Sequence, residues 1–66
     1  MELIKLDAPE RSRIYFFPNG NVRLDNVVEF TARPSGTHRL KTADGKFHIV
    51  NAGWLAIELD IDKFSI

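Results

Sequence analysis

Two histidines carry the most versatile side-chain chemistry of this chain. His38 and His48 both lie in the segment SGTHRLKTADGKFHIV, residues 35–50. Imidazole binds metal ions and transfers protons near neutral pH. A two-residue Asp-Gly turn at 44–45 would place His38 opposite Asn51, so the two rings would not meet. We therefore expect neither a metal site nor a cofactor.

Three carboxylates alternate along one segment near the C-terminus, Glu58, Asp60 and Asp62. Acid–base catalysis needs carboxylates in a cleft, at least one of them desolvated. A row of acids on a strand is more typical of protection against unwanted edge pairing. The sequence contains no P-loop, GxSxG, HExxH or Rossmann glycine pattern. We expect no enzyme, no catalytic residue and no small-molecule substrate.

Four turn signals divide the chain. They are PNGN at 18–21, PSGT at 34–37, ADGK at 43–46 and NAG at 51–53. Asn-Gly and Asp-Gly pairs tolerate positive φ and are typical of hairpin turns. The segments between them have room for five strands and for no helix beyond one turn near DAPERS.

The segments alternate in hydrophobicity as half-buried strands do. We predict one all-β domain over residues 1–66, a small five-stranded antiparallel meander that is SH3-like or partly closed as a barrel. The N-terminal ELIKL could add a sixth, edge strand. The predicted core consists of Ile14, Phe16, Val22, Leu24, Val28, Phe30, Leu40, Phe47, Ile49, Leu55, Ile57 and Leu59.

One position interrupts the alternation in VRLDNVVEFTA. Asn26 falls on the apolar side of this segment and Val27 on the charged side. A β-bulge inserts one extra residue and reverses the alternation beyond it. We expect a bulge here.

Nine basic and nine acidic residues cancel, but they are unevenly distributed. Bases exceed acids between residues 11 and 48, and acids exceed bases on either side. This segregation would suit head-to-tail contact or an acidic partner. Alternatively, neighbouring strands of opposite charge neutralise one another.

Protein binding suits this composition, because interfaces use aromatic and arginine anchors within a polar rim. Trp54 directly follows Gly53 at the lip of a turn, where its ring is either half exposed or plugs the open end of a barrel. The candidate protein-binding residues are Trp54, Tyr15, Arg13 and Arg33.

Nucleic-acid binding is the alternative. Basic residues around the hairpin at 33–48 could contact phosphates, and aromatic rings could stack on bases. The zero net charge counts against it, because phosphate binding normally requires a basic domain. The candidate residues are Arg23, Arg33, Arg39, Lys41, Lys46 and His48.

The pattern LDNVVEF…SGTHRLKTADGKFHIV…GWLAIELDID, residues 24–62, resembles small uncharacterised proteins encoded by phages and prophages. This resemblance implies a compact β domain with a host-directed or regulatory role. NVVEF…HRLKTADGKFHIV also resembles the strand–turn–strand of LytTR-type DNA-binding domains, although the helix of those domains is missing.

We expect a non-catalytic protein-interaction module that is homo-oligomeric and acts on a host protein. A nucleic-acid-binding β domain and a small structural or virion assembly component are the alternatives. The chain contains no cysteine, no signal-peptide pattern and no apolar run long enough to span a bilayer. We therefore expect a cytoplasmic protein without membrane contact.

Overall fold

The fold is known from a computed structural model that describes residues 3–62. Within this range every regular element is a strand, which confirms the predicted all-β class. ELIKL does not form a sixth strand, because its described part leads into and begins the first strand. DAPERS lies inside that same strand. The strands are β1 (Ile4–Phe17), β2 (Gly20–Ala32), β3 (His38–Thr42), β4 (Phe47–Val50) and β5 (Ala56–Asp60).

The five strands form one antiparallel sheet in the order β4-β3-β2-β1-β5. The first four strands follow one another as a meander, but β5 returns to pair with β1. A simple five-strand meander is therefore wrong for the last strand. β4 and β5 are the two edges, and the sheet is not closed into a barrel.

The two long strands both change register near their middle. Lys5 pairs with Glu29 and Glu10 pairs with Val27, so four residues of β1 lie against one of β2. Asn26 has a φ of 56°, and β2 also shifts against β3 beyond Val27. The predicted bulge is confirmed, and it explains why Val27 is fully buried.

The bulges divide the sheet into two parts. We call residues 10–17 of β1, residues 20–27 of β2 and β5 the β5 half. Residues 4–5 of β1, residues 29–32 of β2, β3 and β4 form the β4 half.

The two halves fold over one another. Tyr15 pairs with Val22, and His38 pairs with Ala32. Ten residues of a straight strand would span about 33 Å. The Tyr15 hydroxyl oxygen nevertheless lies 2.8 Å from Nδ1 of His38. The sheet is therefore strongly bent, and the concave side encloses the core.

Among residues 3–62, the core contains five buried apolar residues, and half-buried ones pack against them. Of the predicted core, Leu24 and Leu40 are buried, and Phe30 and Ile57 pack against the centre. The buried residues are Tyr15, Leu24, Val27, Leu40 and Val50; the half-buried ones are Leu6, Phe17, Phe30, Trp54 and Ile57.

The predicted inward side of β1 is wrong by one residue. Arg13 pairs with Leu24 and Tyr15 with Val22, so these side chains share the concave face. Ile14 and Phe16 lie on the opposite face and are half-buried. The segment RIYFF is apolar on both faces, so its alternation could not decide the direction. Val22 and Leu55 are exposed, and Val28 and Leu59 are half-buried.

The loop between β3 and β4 has three residues, not two. The Thr42 N–H donates to the Lys46 carbonyl at 3.0 Å, which leaves residues 43–45 as the loop. Gly45 takes a φ of 86°, which a side chain resists. The Thr42 hydroxyl and the Lys46 N–H both donate to Asp44. The hydrogen bond from Thr42 is the main cause that lowers the Asp44 pKa.

This extra loop residue reverses the two faces of β4. His38 pairs with Val50 instead of Asn51, and Leu40 pairs with His48. A one-residue slip moves every side chain of a strand to the other face. Val50 is consequently buried, whereas Phe47 is 69% exposed and Ile49 is 64% exposed. The prediction that the latter two point into the core is wrong.

Candidate interaction surface

The predicted protein-binding residues lie mostly inside the fold. Tyr15 is fully buried and Arg13 is 7% exposed. Trp54 and Arg33 are half-buried. Three of the four, Arg13, Tyr15 and Trp54, do come together, but on the concave side between the two halves of the sheet. Neither buried residue is available as a surface anchor.

Arg13 is the centre of a buried polar network. Its Nε donates to one Glu10 oxygen at 2.8 Å, and its Nη2 donates to the other at 2.7 Å. Nη1 donates to the Tyr15 hydroxyl at 3.2 Å. Burial alone would lower the Arg13 pKa, but the hydrogen bonds to Glu10 and Tyr15 raise it. In such a bidentate ion pair the charged groups keep their hydrogen bonds although they are buried away from water.

The network continues to the β4 half through His38. Because Arg13 donates to the Tyr15 oxygen, the Tyr15 hydroxyl donates onward to Nδ1 of His38. Burial, and then the Arg13 charge, lower the His38 pKa, which favours the neutral ring. Burial likewise raises the Tyr15 pKa. The hydroxyl and the imidazole thus join the two halves.

Aromatic rings cover this network. The Trp54 ring centre lies 4.4 Å from that of His38 and 5.2 Å from that of Tyr15. The Phe30 ring centre lies 4.9 Å from that of His38, and the Arg13 guanidinium lies 4.5 Å from the same Phe30 ring centre. Trp54 therefore closes the concave side, as a plug does. Both Glu10 oxygens accept from Arg13, so this carboxylate is already occupied.

The predicted nucleic-acid-binding residues do not form one surface. Arg23 pairs with Asp25 at 2.9 Å on the β5 half. His48 faces inward, where its Nε2 lies 3.1 Å from the Thr42 hydroxyl. Of the six candidates, Arg39 and Lys41 are the two that share a strand face, on the convex side of β3. Among residues 3–62, no ion-pair partner is found for Arg33, Arg39 or Lys46.

The acids at the C-terminal edge are neutralised locally. Arg11 of β1 donates to Asp60 through Nε at 3.0 Å and Nη2 at 2.7 Å, and it also contacts Asp62. The hydrogen bond from Arg11 lowers the Asp60 pKa. In this part of the sheet, neutralisation across neighbouring strands explains the charge segregation. The described residues contain no cluster of three metal-ligating side chains.

The convex face of the β3–β4 hairpin is the exposed apolar surface that the sequence analysis missed. Arg39 pairs with Ile49, and Lys41 pairs with Phe47, so the four side chains share one face. We call these four residues the hairpin face. Lys41 Nζ lies 5.4 Å from the Phe47 ring centre and 3.6 Å from a Glu29 oxygen. Had the sequence analysis assigned three residues to the ADGK loop, it would have placed Phe47 and Ile49 on this exposed face.

A cavity of about 230 Å³ lies beside the hairpin face. Arg39 lines it, and Nε of this side chain is buried without a hydrogen-bond acceptor among the described residues. Most other lining residues are apolar. The described residues that line it are Leu3, Arg39, Leu40, Phe47, His48 and Ile49.

Comparisons with protein-family models, with curated proteins and with solved structures find no match for this chain. Across residues 3–62 there is no helix of the length and apolarity that crossing a membrane requires.

Proposed function

We propose that this chain is a non-catalytic protein-binding module and that its contact surface is the hairpin face. The observation that carries this proposal is the pair Phe47 and Ile49, both mostly exposed and side by side on an edge strand. Burying a large apolar side chain stabilises by about 1.5–3 kcal/mol. A small domain that leaves two of them in water gains this energy when a partner covers them.

The composition of the hairpin face supports the same proposal. An aromatic ring and an aliphatic side chain lie beside Arg39 and Lys41, which is typical of an interface centre with a charged border. Within residues 3–62, strand β4 also has no neighbouring strand on its outer side. Free backbone groups of an edge strand pair readily with an added strand.

The partner that we propose is a host protein or a second copy of the chain, and the site of action is the cytoplasm. The resemblance of residues 24–62 to phage-encoded proteins favours a host protein. Pairing of β4 with its own copy would give a symmetric dimer. The absence of cysteine fits a reducing compartment.

The test compares three proteins in affinity capture and sedimentation velocity. They are the wild type, Phe47→Ser/Ile49→Ser, and Leu55→Ser. Leu55 is the matched control, because it is 75% exposed and lies outside the hairpin face. We expect the wild type and Leu55→Ser to retain the same partner or to self-associate, and the double variant to do neither. Equal behaviour of all three proteins would contradict the proposal.

A second candidate function is single-stranded nucleic-acid binding, favoured by the exposed Phe47 ring with Lys41 beside it. Bases stack on such rings while cations contact phosphates. Binding should then weaken steeply between about 50 and 200 mM salt. No gel shift at the lower salt would remove this candidate.

A further inference from the structure

We infer that the partner presents an extended segment that pairs with the free edge of β4 and places a carboxylate on Arg39 in the adjacent cavity. This inference rests on the proposed function and specifies the chemistry of the partner. Three features carry it, namely the size of the cavity, the unpaired guanidinium nitrogen and the open strand edge.

The cavity is too small for a typical ligand but large enough for one side chain. Pockets that hold small molecules usually measure about 300–1,000 Å³. The cavity beside β4 measures about 230 Å³. Its walls include Leu3, Phe47 and Ile49, which contact the apolar part of an inserted residue.

Arg39 gives this cavity its charge preference. Its Nε is buried and lacks an acceptor, and the described residues provide no carboxylate within ion-pair distance of its guanidinium. A buried donor without an acceptor is costly, and a carboxylate is the acceptor that matches a guanidinium best. The charge of Lys46 at the end of the hairpin is offset by Asp44, whose pKa it helps to lower, so the charge preference comes from Arg39.

The open edge of β4 determines how the segment that carries the carboxylate binds. A strand added beside β4 would direct alternate side chains to the side on which Phe47 and Ile49 lie. Main-chain hydrogen bonds would supply affinity, and the cavity would select the side chain. The recognised segment therefore carries acidic residues at alternate positions, on the face that meets the cavity.

The chain itself contains such a segment, AIELDID at 56–62. In the folded protein Arg11 holds two of its acids, Asp60 and Asp62. We therefore assign the segment to a partner protein and use the free peptide only as a probe. If the edge of β4 instead bound β5 of a second copy, the protein would form head-to-tail polymers.

The experiment titrates a panel of blocked seven-residue peptides into isotopically labelled protein and follows the backbone amide signals. The panel keeps the alternation of AIELDID and varies its apolar residues. A matched panel replaces each acid by its amide. The proteins are the wild type, Arg39→Gln and Arg33→Gln. Arg33→Gln is the matched control, because Arg33 is also an arginine without an ion pair in the described range.

We expect the acidic panel to shift the amides of residues 47–50 and the amide panel to bind at least about tenfold more weakly, as loss of a charge-assisted hydrogen bond predicts. Arg39→Gln should lose the same factor, and Arg33→Gln should bind as the wild type does. Equal binding of both panels, no shift in β4, concentration-dependent polymers, or an equal loss in both variants would overturn the inference.

The two proposals can fail separately. If capture of the partner depends on Phe47 and Ile49 but not on Arg39, the hairpin face remains the contact surface and only the carboxylate assignment falls. If capture is unaffected by the double variant Phe47→Ser/Ile49→Ser, the proposed function itself fails.

Discussion

The convex faces of the two halves of the sheet differ in how their side chains are paired. On the β5 half, Arg11 of β1 pairs with Asp60 of β5 and Arg23 pairs with Asp25 within β2, so these charges are neutralised by their neighbours. On the β4 half, Phe47 and Ile49 are exposed beside an arginine without an ion pair among the described residues.

This difference extends to the two open edges. Charged side chains on an edge strand discourage pairing with other chains, whereas apolar ones permit it. Glu58 and Asp60 occupy the convex side of β5, but the corresponding side of β4 carries Phe47 and Ile49. One edge is therefore protected and the other is open, which is the arrangement expected of a module that binds through a single edge.

The interior holds these two unlike halves in place. The chain of hydrogen bonds from Glu10 through Arg13 and Tyr15 ends at His38 on the opposite half. If this connection fails, the hairpin face loses its position as well.

The largest effect is expected for Glu10→Leu, which removes the carboxylate at the start of the network that joins the halves. It leaves Arg13 buried without its carboxylate, and breaking a buried pair in this way costs about 3–5 kcal/mol. Urea unfolding followed by circular dichroism should show a destabilised or unfolded chain. Replacing both residues, as Glu10→Leu/Arg13→Met, should recover much of the loss. Arg11→Met is the comparison on the exposed β5 half and should change stability little. A similar small effect for Glu10→Leu would contradict the role of the network.

An intermediate effect is expected for Gly45→Ala, which acts on the loop that orients β4. A Cβ at this position meets no atom within 4 Å, so the cost arises from the backbone alone. An L-residue in the left-handed region costs about 1–2 kcal/mol. Gly45→Asn should cost less, because asparagine tolerates this region better. Thermal or urea unfolding of the two variants measures the difference. Equal stability of Gly45→Ala and wild type would contradict the left-handed conformation of Gly45 in the observed loop.

The smallest effect is expected from pH, through His38. Its folded-state pKa lies below the usual value of 6.5, so the unfolded chain binds the proton more readily. The free energy of unfolding should be constant above this value and decrease as pH falls below it, by at most about 1.4 kcal/mol per pH unit.

Other groups can be separated from this effect. The lowered pKa values of Asp44 and Asp60 act below 3.8, so their contribution is lost only in stronger acid. In His38→Gln the slope between pH 6.5 and 4 should be reduced. An unchanged slope in this variant would show that the His38 ring is not the titrating group.

The sequence predicts the elements of this fold better than their orientation. Asn-Gly and Asp-Gly pairs marked two hairpins, and the misplaced pair Asn26 and Val27 marked the bulge. These are local signals, because turn residues and alternation act over a few positions. The same signals could not place β5 beside β1, since that pairing joins residues far apart in the chain.

The candidate site was missed for a definable physical reason. ADGK fits a two-residue and a three-residue loop equally well, and the choice between them decides which face of β4 is buried. Arg13 and Glu10 were also invisible as a buried pair, because a charged residue in an alternating strand normally predicts solvent exposure. Their burial follows from the bend that brings the two halves together.

The most direct test of the account places a photoreactive phenylalanine analogue at Phe47 or at Leu55 and irradiates intact host cells that produce the protein. Both positions are mostly exposed, but only the first belongs to the hairpin face. The account predicts a defined cross-linked product, with a host protein or with a second copy, at position 47 and none at position 55. The same product at both positions, or at position 55 alone, would contradict the assignment of the binding surface to β4.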